Sequence, residues 1–420
     1  YCTLHMKTRF LLFLLFCAIA ELYSFVLIRS VVRSLSPLWR SLTLIAYVGV
    51  SIAVWAGIIF IKQINWAELP SGVRNFIIAF TFGFFIAKIL MAAVMLIDDL
   101  RRFFVWAGLG IFPERNASSS VTGNGISRSV FLKRIALLLG GTTLSGFVYG
   151  ISNRYNYQVV KQQIKIPHLP EPLRGLKILH ISDIHSGSFD NIEAVTKGVV
   201  KAMELKPDII FFTGDLVNDR ASEVLPYIPV FSALQAPMGV YSVLGNHDYG
   251  DYVSWPSAQA KQHNLEQLIA AHGKMGWKLL NNEHVVLEKQ GAKIAIIGVE
   301  NWSAKAHFPR HGNLQIATQG LNKKEVACSI LLSHDPSHWD AEVRSNFPEI
   351  DLTLSGHTHG MQFGIEIPGF KWSPVKYMYP RWAGHYQQGN QQLYVNRGFG
   401  FLGYPGRLGI LPEITLLELS

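Results

Sequence analysis

Charge is scarce in this 420-residue chain. Asp, Glu, Lys and Arg together make up 16% of it, while apolar residues reach 49%. An ordinary soluble protein carries roughly 25% charged residues, so this composition is unusual for one and reads as a membrane protein with a globular part. Cysteine is nearly absent: Cys2, Cys17 and Cys328 lie far apart without CxxC spacing. That excludes a disulfide framework and a thiolate metal site, and leaves the redox compartment open. Also missing is any basic stripe interleaved with aromatics, so the net charge of +9 points to anionic lipid or a phosphorylated substrate, with no nucleic acid partner expected.

The apolar residues are unevenly spread. Long apolar runs fill residues 10–151, and shorter alternating patterns follow, which places a boundary near residue 152. The expected organisation is a membrane region at 1–152, a linker at 153–175 and a globular domain at 176–420. "YCTLH" before Met6 looks unlike a start, whereas Met6 followed by Lys7, Arg9 and an apolar run reads as a true beginning.

Phe10 to Ile28, Leu42 to Ile61 and Phe76 to Ile97 are each long enough, at 1.5 Å per helical residue, to cross roughly 30 Å of hydrocarbon. Ile135 to Ile151 is shorter and carries Gly140-Gly141; it reads as a fourth span, with an interfacial segment as the alternative. Phe103 to Phe112 is too short to cross and is expected at the interface, followed by the flexible stretch "ERNASSSVTGNGISRS". Arg101, Arg102, Arg115, Arg128, Lys133 and Arg134 around that stretch place it in the cytoplasm by the positive-inside rule. With four spans, a multi-pass cell-membrane protein results, and everything after residue 152 lies outside the cytoplasm. "SRSVFLK" at 127–133 reads first as a basic flank before a membrane helix, and second as a twin-arginine export signal with Ser129 replacing the second arginine. Glu21 and Lys88 fall near the middle of the first and third runs, at similar depth, and are expected to pair. Each alone would cost about 2.5 to 3.5 kcal/mol in hydrocarbon.

Beyond "IPHLPEPLRG", whose prolines discourage helix, strand and helix patterns alternate. "LKILHISD", "DIIFFTGD", "GVYSVLGNHD", "KIAIIGVEN", "CSILLSHD" and "DLTLSGHTH" are apolar strands that each stop at a polar cluster, and "NIEAVTKGVVKAMEL" has helical periodicity. This alternation predicts an α/β domain with much parallel pairing. Ligands of open α/β sheets gather at the carboxyl ends of strands. Here those ends deliver Asp183, His185, Asp215, Asn246, His247, His334, His357 and His359 toward one edge. Oxygen and nitrogen donors without sulfur suit a catalytic divalent ion rather than a structural zinc. With His247 set aside, two Asp, four His and one Asn are too many for one ion and suit two ions sharing a carboxylate, the arrangement that clamps a phosphoryl displacement.

"DIH" at 183–185, "GDLV" at 214–217, "GNHD" at 245–248, "SH" at 333–334 and "GHTHG" at 356–360 together resemble the calcineurin-like metallophosphoesterase family, over residues 176–420. The ending "YVNRGFGFLGYPGRLGILPEITLLEL" further resembles its bacterial membrane-associated branch, which includes YkuE-type and YaeI-type phosphoesterases; the resemblance does not cover the first three spans. It implies a four-layer fold, two mixed β-sheets flanked by helices. It also implies two divalent ions, Mn, Fe, Zn or Mg, with Mn favoured. By this likeness Asp183, His185, Asp215 and His359 hold one ion, and Asp215, Asn246, His334 and His357 hold the other. A hydroxide between the ions would attack phosphorus in line, with His247 protonating the leaving oxygen. His357 and His359 would then sit on a turn past their strand and serve neighbouring ions, rather than sharing one face of it.

Two departures stand out. An aspartate that orients the catalytic histidine in phosphoprotein phosphatases is replaced by Asn218, which puts the His247 dyad in question, and "GHTHGGQ" reads "GHTHGMQ", with Met361 filling space. Gly214, Gly245, Gly356 and Gly360 are expected to permit tight turns and positive φ. His180 is expected to be structural and His338 to lie on a helix surface. Trp302, Trp372, Trp382, Phe399 and Phe401 read as packing anchors, or else as an apolar entrance for lipid. Arg381 and Arg397 would hold a substrate phosphate or form salt bridges. The function expected is a membrane-anchored phosphoesterase hydrolysing a phosphate ester or pyrophosphate, lipid-linked in its leading form. The alternatives are a phosphatase of a soluble extracytoplasmic phosphomonoester and a non-catalytic metal-binding sensor or assembly module.

Overall fold

The computed structural model describes residues 2–60, 69–111 and 128–420. The chain divides into two compact units, Tyr1–Ile151 and Ser152–Ser420. Most of the polar stretch after Phe112, and the start of "SRSVFLK", lie outside the described residues.

The first unit is helical: α1 Cys2–Val31, α2 Pro37–Ile59, α3 Ser71–Ile111 and α4 Arg128–Gly150. All four are long and apolar enough to cross a membrane. Phe103 and its neighbours do not form the separate interfacial segment expected from sequence; they continue α3 without a break. No proline or glycine interrupts the helix between Ala92 and Trp106, and the Asp98 carboxylate pairs with Arg101 (3.0 Å) and Arg102 (2.8 Å) on the following turn. Where α3 meets α4, a Cβ on Gly140 would collide with Met91, so the small residue sets a close approach.

Glu21 and Lys88 do pair, Lys88 Nζ lying 2.5 Å from Glu21 Oε2. Around them α2 contributes the Ser51 hydroxyl, 2.9 Å from Nζ, the Tyr47 hydroxyl and the Trp55 indole N–H, the last two donating to Glu21. Buried charge is tolerable only when partnered this fully, and breaking one side costs about 3–5 kcal/mol. Glu21→Lys is therefore expected to cut the folded, detergent-extractable yield roughly fivefold or more, and the exchange Glu21→Lys/Lys88→Glu to restore most of it. An exchange variant as poor as the single one would contradict the pairing.

The second unit is an α/β sandwich. Its strands are β1 Gln158–Ile164, β2 Lys177–Ile181, β3 Ile209–Thr213, β4 Val240–Val243, β5 Lys278–Leu279, β6 Glu283–Lys289, β7 Ala292–Gly298, β8 Cys328–Leu332 and β9 Leu352–Ser355. A short ribbon follows, β10 Ile365–Ile367 and β11 Phe370–Trp372, and then β12 Gly384–Gln388, β13 Gln391–Val395 and β14 Glu413–Leu419. One sheet runs β1-β14-β2-β3-β4-β5 and the other β12-β13-β9-β8-β7-β6. Both are mixed: β2, β3 and β4 are parallel, as are β7, β8, β9 and β13, while β14 against β2 and β6 against β7 are antiparallel.

Side chains alternate across each strand, and here both faces are apolar because both are covered. On β3, Ile209 and Phe211 enter the core between the sheets, with Ile296, Ile330, Leu332 and Leu354 from the second sheet. Ile210 and Phe212 point the other way, into a layer with Val195, Val199 and Ala202 of helix Ile192–Met203 and Leu268 and Ala271 of helix Ala258–Lys274. The outer face of the second sheet is covered by Leu314, Trp339 and Val343. Each fully buried Leu, Ile or Phe contributes about 1.5–3 kcal/mol, so this double core is what holds the strand ends in fixed relation. The result is a four-layer arrangement, helices outside two packed sheets.

Candidate metal centre

Five strands end in loops bearing polar side chains: Asp183 and His185 follow β2, Asp215 follows β3, Asn246 and His247 follow β4, His334 follows β8, and His357 and His359 follow β9. The structure brings all of them together. His334 Nε2 lies 3.1 Å and His185 Nε2 3.5 Å from the same oxygen, Asp215 Oδ2. His359 Nε2 is 3.3 Å from Asp183 Oδ1. His357 Nδ1 lies 2.8 Å from Asn246 Oδ1 and 3.3 Å from His334 Nε2. Two triads emerge, Asp183-His185-His359 and Asp215-His334-His357, each with ligand atoms within 4.8 Å of one another.

The backbone is held away from its usual conformations to achieve this. Asp183 (φ 52°), His185 (49°), Asp215 (58°), His357 (70°) and His359 (49°) all occupy the left-handed region. For a residue with a Cβ each such conformation costs about 1–3 kcal/mol and persists where the surrounding structure enforces it, characteristically at functional sites. Among the glycines, Gly214 (φ 93°) and Gly360 (φ 54°) do take positive φ. Gly245 and Gly356 are required for another reason: a Cβ on either would collide with the Asp215 or Asp183 carboxylate.

The site is dry. Asp183, His185 and His334 are fully buried, and Asp215 and Asn246 nearly so. Burial pushes the Asp183 carboxyl up, but His359 more than reverses this, leaving it below the usual carboxylate range; His334 and His247 do the same for Asp215. Burial would also lower His334, yet Asp215 pushes it up to about 10. Two buried carboxylates thus demand positive charge from their surroundings, and a divalent cation supplies it in the form these donors suit. Both ring nitrogens of His185, and Nε2 of His359, have no hydrogen-bond partner although they are buried. Buried imidazole nitrogens without partners are costly unless they ligate something, so the donor set fits divalent metal ions.

His247 lies beside this group, its ring centre 5.0 Å from that of His185. Its Nδ1 is 2.7 Å from the main-chain oxygen of Asn218, and its backbone N–H donates to Asp215 Oδ1 at 2.9 Å. Where the aspartate is absent at 218, the main-chain carbonyl of Asn218 accepts from His247 Nδ1–H. Asn218 turns its side chain to Ser188 instead.

Several residues here were not singled out from sequence. Asp248 is fully buried and accepts backbone N–H bonds from Asp215 (2.9 Å), Leu216 (2.8 Å) and Gly245 (2.8 Å), locking the Asp215 and Asn246 loops together. Burial first, and Asp215 second, push its carboxyl up to about 7. The Tyr379 hydroxyl meets His357 Nε2 at 2.9 Å and Asp335 at 3.2 Å, and the Tyr252 hydroxyl accepts from Asn246 Nδ2 at 2.8 Å. Arg407, fully buried and lowered by that burial to about 9, donates to the main-chain oxygens of Arg397, Gly398, Gly400 and His359 and so supports the His359 loop. Asp248 closes the "GNHD" motif and Asp335 directly follows "SH", a local signal; Tyr252, Tyr379 and Arg407 come from loops whose sequence offers none.

Other expectations resolve as follows. His338 is not on a helix surface: it is fully buried, bonded to Ser333 Oγ (2.8 Å) and Glu342 (3.1 Å) under the Trp302 ring, because its helix turns that face inward. His180 is bonded to Thr213 inside the sheet. Trp382, Phe399 and Phe401 are packed in the interior. Arg397 pairs with Glu366 and Glu413, the salt-bridged alternative of the two expected for it. Arg381, 3.5 Å from Asp340, lines a cavity of about 270 Å³ with Lys305 and Tyr379.

Comparison with known proteins agrees with this geometry and extends it. Residues 176–361 match the family described as Calcineurin-like phosphoesterase. Residues 7–154 match one described as Probable Calcineurin-like phosphoesterase, transmembrane domain, so the likeness does reach the first three spans. The chain is 30% identical to the uncharacterized metallophosphoesterase YkuE of Bacillus subtilis over 70% of its own length and 98% of that protein's. It is 25% identical to the phosphodiesterase YaeI of Escherichia coli over 70% and 99%, respectively. With a zebrafish (Danio rerio) transmembrane protein with metallophosphoesterase domain it shares 29% identity over 73% of this chain and 66% of that one.

Proposed function

The chain belongs to the calcineurin-like metallophosphoesterase family and is a phosphoester hydrolase with a membrane region; from that premise we propose that it uses two divalent ions, Mn in the leading form, to hydrolyse a lipid-linked phosphate ester or pyrophosphate outside the cytoplasm. One observation carries the dinuclear reading: a single oxygen, Asp215 Oδ2, lies within 3.5 Å of a histidine from each triad. In this reading Asp183, His185, Asp215 and His359 would hold one ion and Asp215, Asn246, His334 and His357 the other, with Asp215 common to both. When bound, such a pair supplies an activated water at neutral pH and neutralises the phosphoryl oxygens.

The chain's own residues do the rest. Burial of Asp183, His185, Asp215 and His334 lowers the local dielectric, which strengthens the charge interactions among them. His247, oriented through Nδ1 by the Asn218 carbonyl, keeps Nε2 for the proton that passes to the leaving oxygen. Tyr379 and Asp335 hold the His357 ring, and Asp248 holds the loops of Asp215 and Asn246 in register. Lys305 and Arg381, beside Tyr379, are placed to meet a second phosphate or an anionic head group.

The test is a turnover screen of the full chain in detergent, across phosphomonoesters, diesters and pyrophosphates, with Mn, Zn, Fe or Mg. Metal-dependent hydrolysis is expected, lost on Asn246→Ala. Bound metal without turnover on any substrate would favour a sensor module instead. For orientation, the basic residues flanking the loop between α3 and α4 support an extracytoplasmic domain. A C-terminal reporter should be active outside the cytoplasm; a cytoplasmic signal overturns this placement.

A further inference from the structure

Between His359 and Tyr379 the chain leaves the metal centre, makes an excursion and returns. At one end Gly360 follows the ligand His359, and its carbonyl accepts from Ser373 Oγ at 2.8 Å; at the other the Tyr379 hydroxyl meets the ligand His357. In between stands the ribbon β10–β11, a two-stranded sheet of its own that pairs with neither main sheet. Pro368 and Gly369 (φ 79°) form its tip, between the paired residues Ile367 and Phe370.

The surface of this excursion is apolar where a soluble domain would be polar. Met361, Ile365, Ile367, Phe370, Tyr377 and Met378 are between 44% and 75% exposed. Clustered exposure of this kind on one segment marks a contact surface, since scattered apolar residues elsewhere need no explanation. The charges sharpen the point. Glu366, the acidic residue of the excursion, turns its carboxylate to Arg397, while Lys376 stands exposed beside Tyr377. The outward face therefore combines aliphatic and aromatic side chains with positive charge, the composition of segments that settle at a lipid–water interface.

A lipid phase is also what this chain brings with it. Four membrane-length helices precede the domain, and the last, α4, ends at Gly150, with β1 beginning at Gln158. We propose that the ribbon is a membrane-dipping element: its Ile367-Pro368-Gly369-Phe370 tip enters the lipid surface beside which the domain is tethered and holds the metal centre at the head groups. A phosphoester on a lipid anchor would then reach the metal ions without leaving the bilayer. The substrate side of this inference rests on the function proposed above; the ribbon's contact with lipid does not.

The two are separable in one experiment on the full chain in vesicles containing anionic phospholipid. A spin label at Phe370→Cys, with Cys2, Cys17 and Cys328 replaced by alanine, is expected to collide preferentially with oxygen over a water-soluble nickel chelate, as a label in acyl chains does. The double variant Ile367→Ser/Phe370→Ser is expected to lose at least about tenfold in turnover of a long-chain lipid phosphate in the same vesicles, and to stay within about twofold on p-nitrophenyl phosphoesters. Preferential collision with the nickel chelate, equal turnover of the lipid phosphate, or equal losses on both substrates overturns the proposal. A wild-type chain that turns over neither substrate sinks the proposed function alone, and the label still decides the ribbon.

Discussion

Asp215→Asn is expected to abolish metal-dependent hydrolysis, with a loss on the order of a thousandfold or more, equivalent to ~4 kcal/mol of transition-state stabilisation. The side chain keeps its shape, so the effect is one of charge. Oδ2 lies between His185 and His334, and Oδ1 accepts the His247 backbone N–H, so one carboxylate serves both triads and the His247 loop. An amide retains one acceptor oxygen but cannot bridge two cations as an anion does. Metal content measured by elemental analysis should fall with activity, while the chain still folds, because the amide relieves a buried negative charge. Full metal content with normal turnover would refute the bridging role.

His247→Ala has the second largest expected effect and a different signature. A positioned general acid contributes about 10²–10⁴-fold, so kcat should fall on the order of a hundredfold or more. Both ions should stay, since His247 is absent from both triads. The loss should also depend on the leaving group. An alkyl phosphate needs its leaving oxygen protonated and should suffer most; a p-nitrophenyl ester, whose phenolate leaves unaided, should suffer least. An equal loss on both would mean that His247 binds the phosphate or supports the loop instead.

Much of the clustering at this candidate site is legible in the sequence, because a side chain gathered at a strand end needs a short polar motif directly after an apolar run. "DIH", "GDLV", "GNHD", "SH" and "GHTH" each satisfy that condition, and the mixed sheets bring their ends together. The pairing of Glu21 with Lys88 was legible for a similar reason, since depth in a helix follows from counting residues. Side chains that act through tertiary contact were not. Tyr379 and Arg407 reach the site from irregular loops with no period to read, and His338 was misplaced because a short helix gives too few residues to show its buried face. Phe103 to Phe112 is too short to span by itself, but its described part, Phe103 to Ile111, is the tail of a helix that begins at Ser71. The exposed ribbon was invisible for a further reason: its apolar residues, taken one by one, look like the rest of a strand.

The central claim, a pair of ions bridged by Asp215, is tested most directly by electron paramagnetic resonance of the full chain loaded with Mn, alongside its metal content. The account predicts about two Mn per chain and a spin-coupled spectrum, collapsing in Asp215→Asn to the signal of isolated ions. An active protein that holds one Mn, or two that give only the isolated-ion signal, would contradict it.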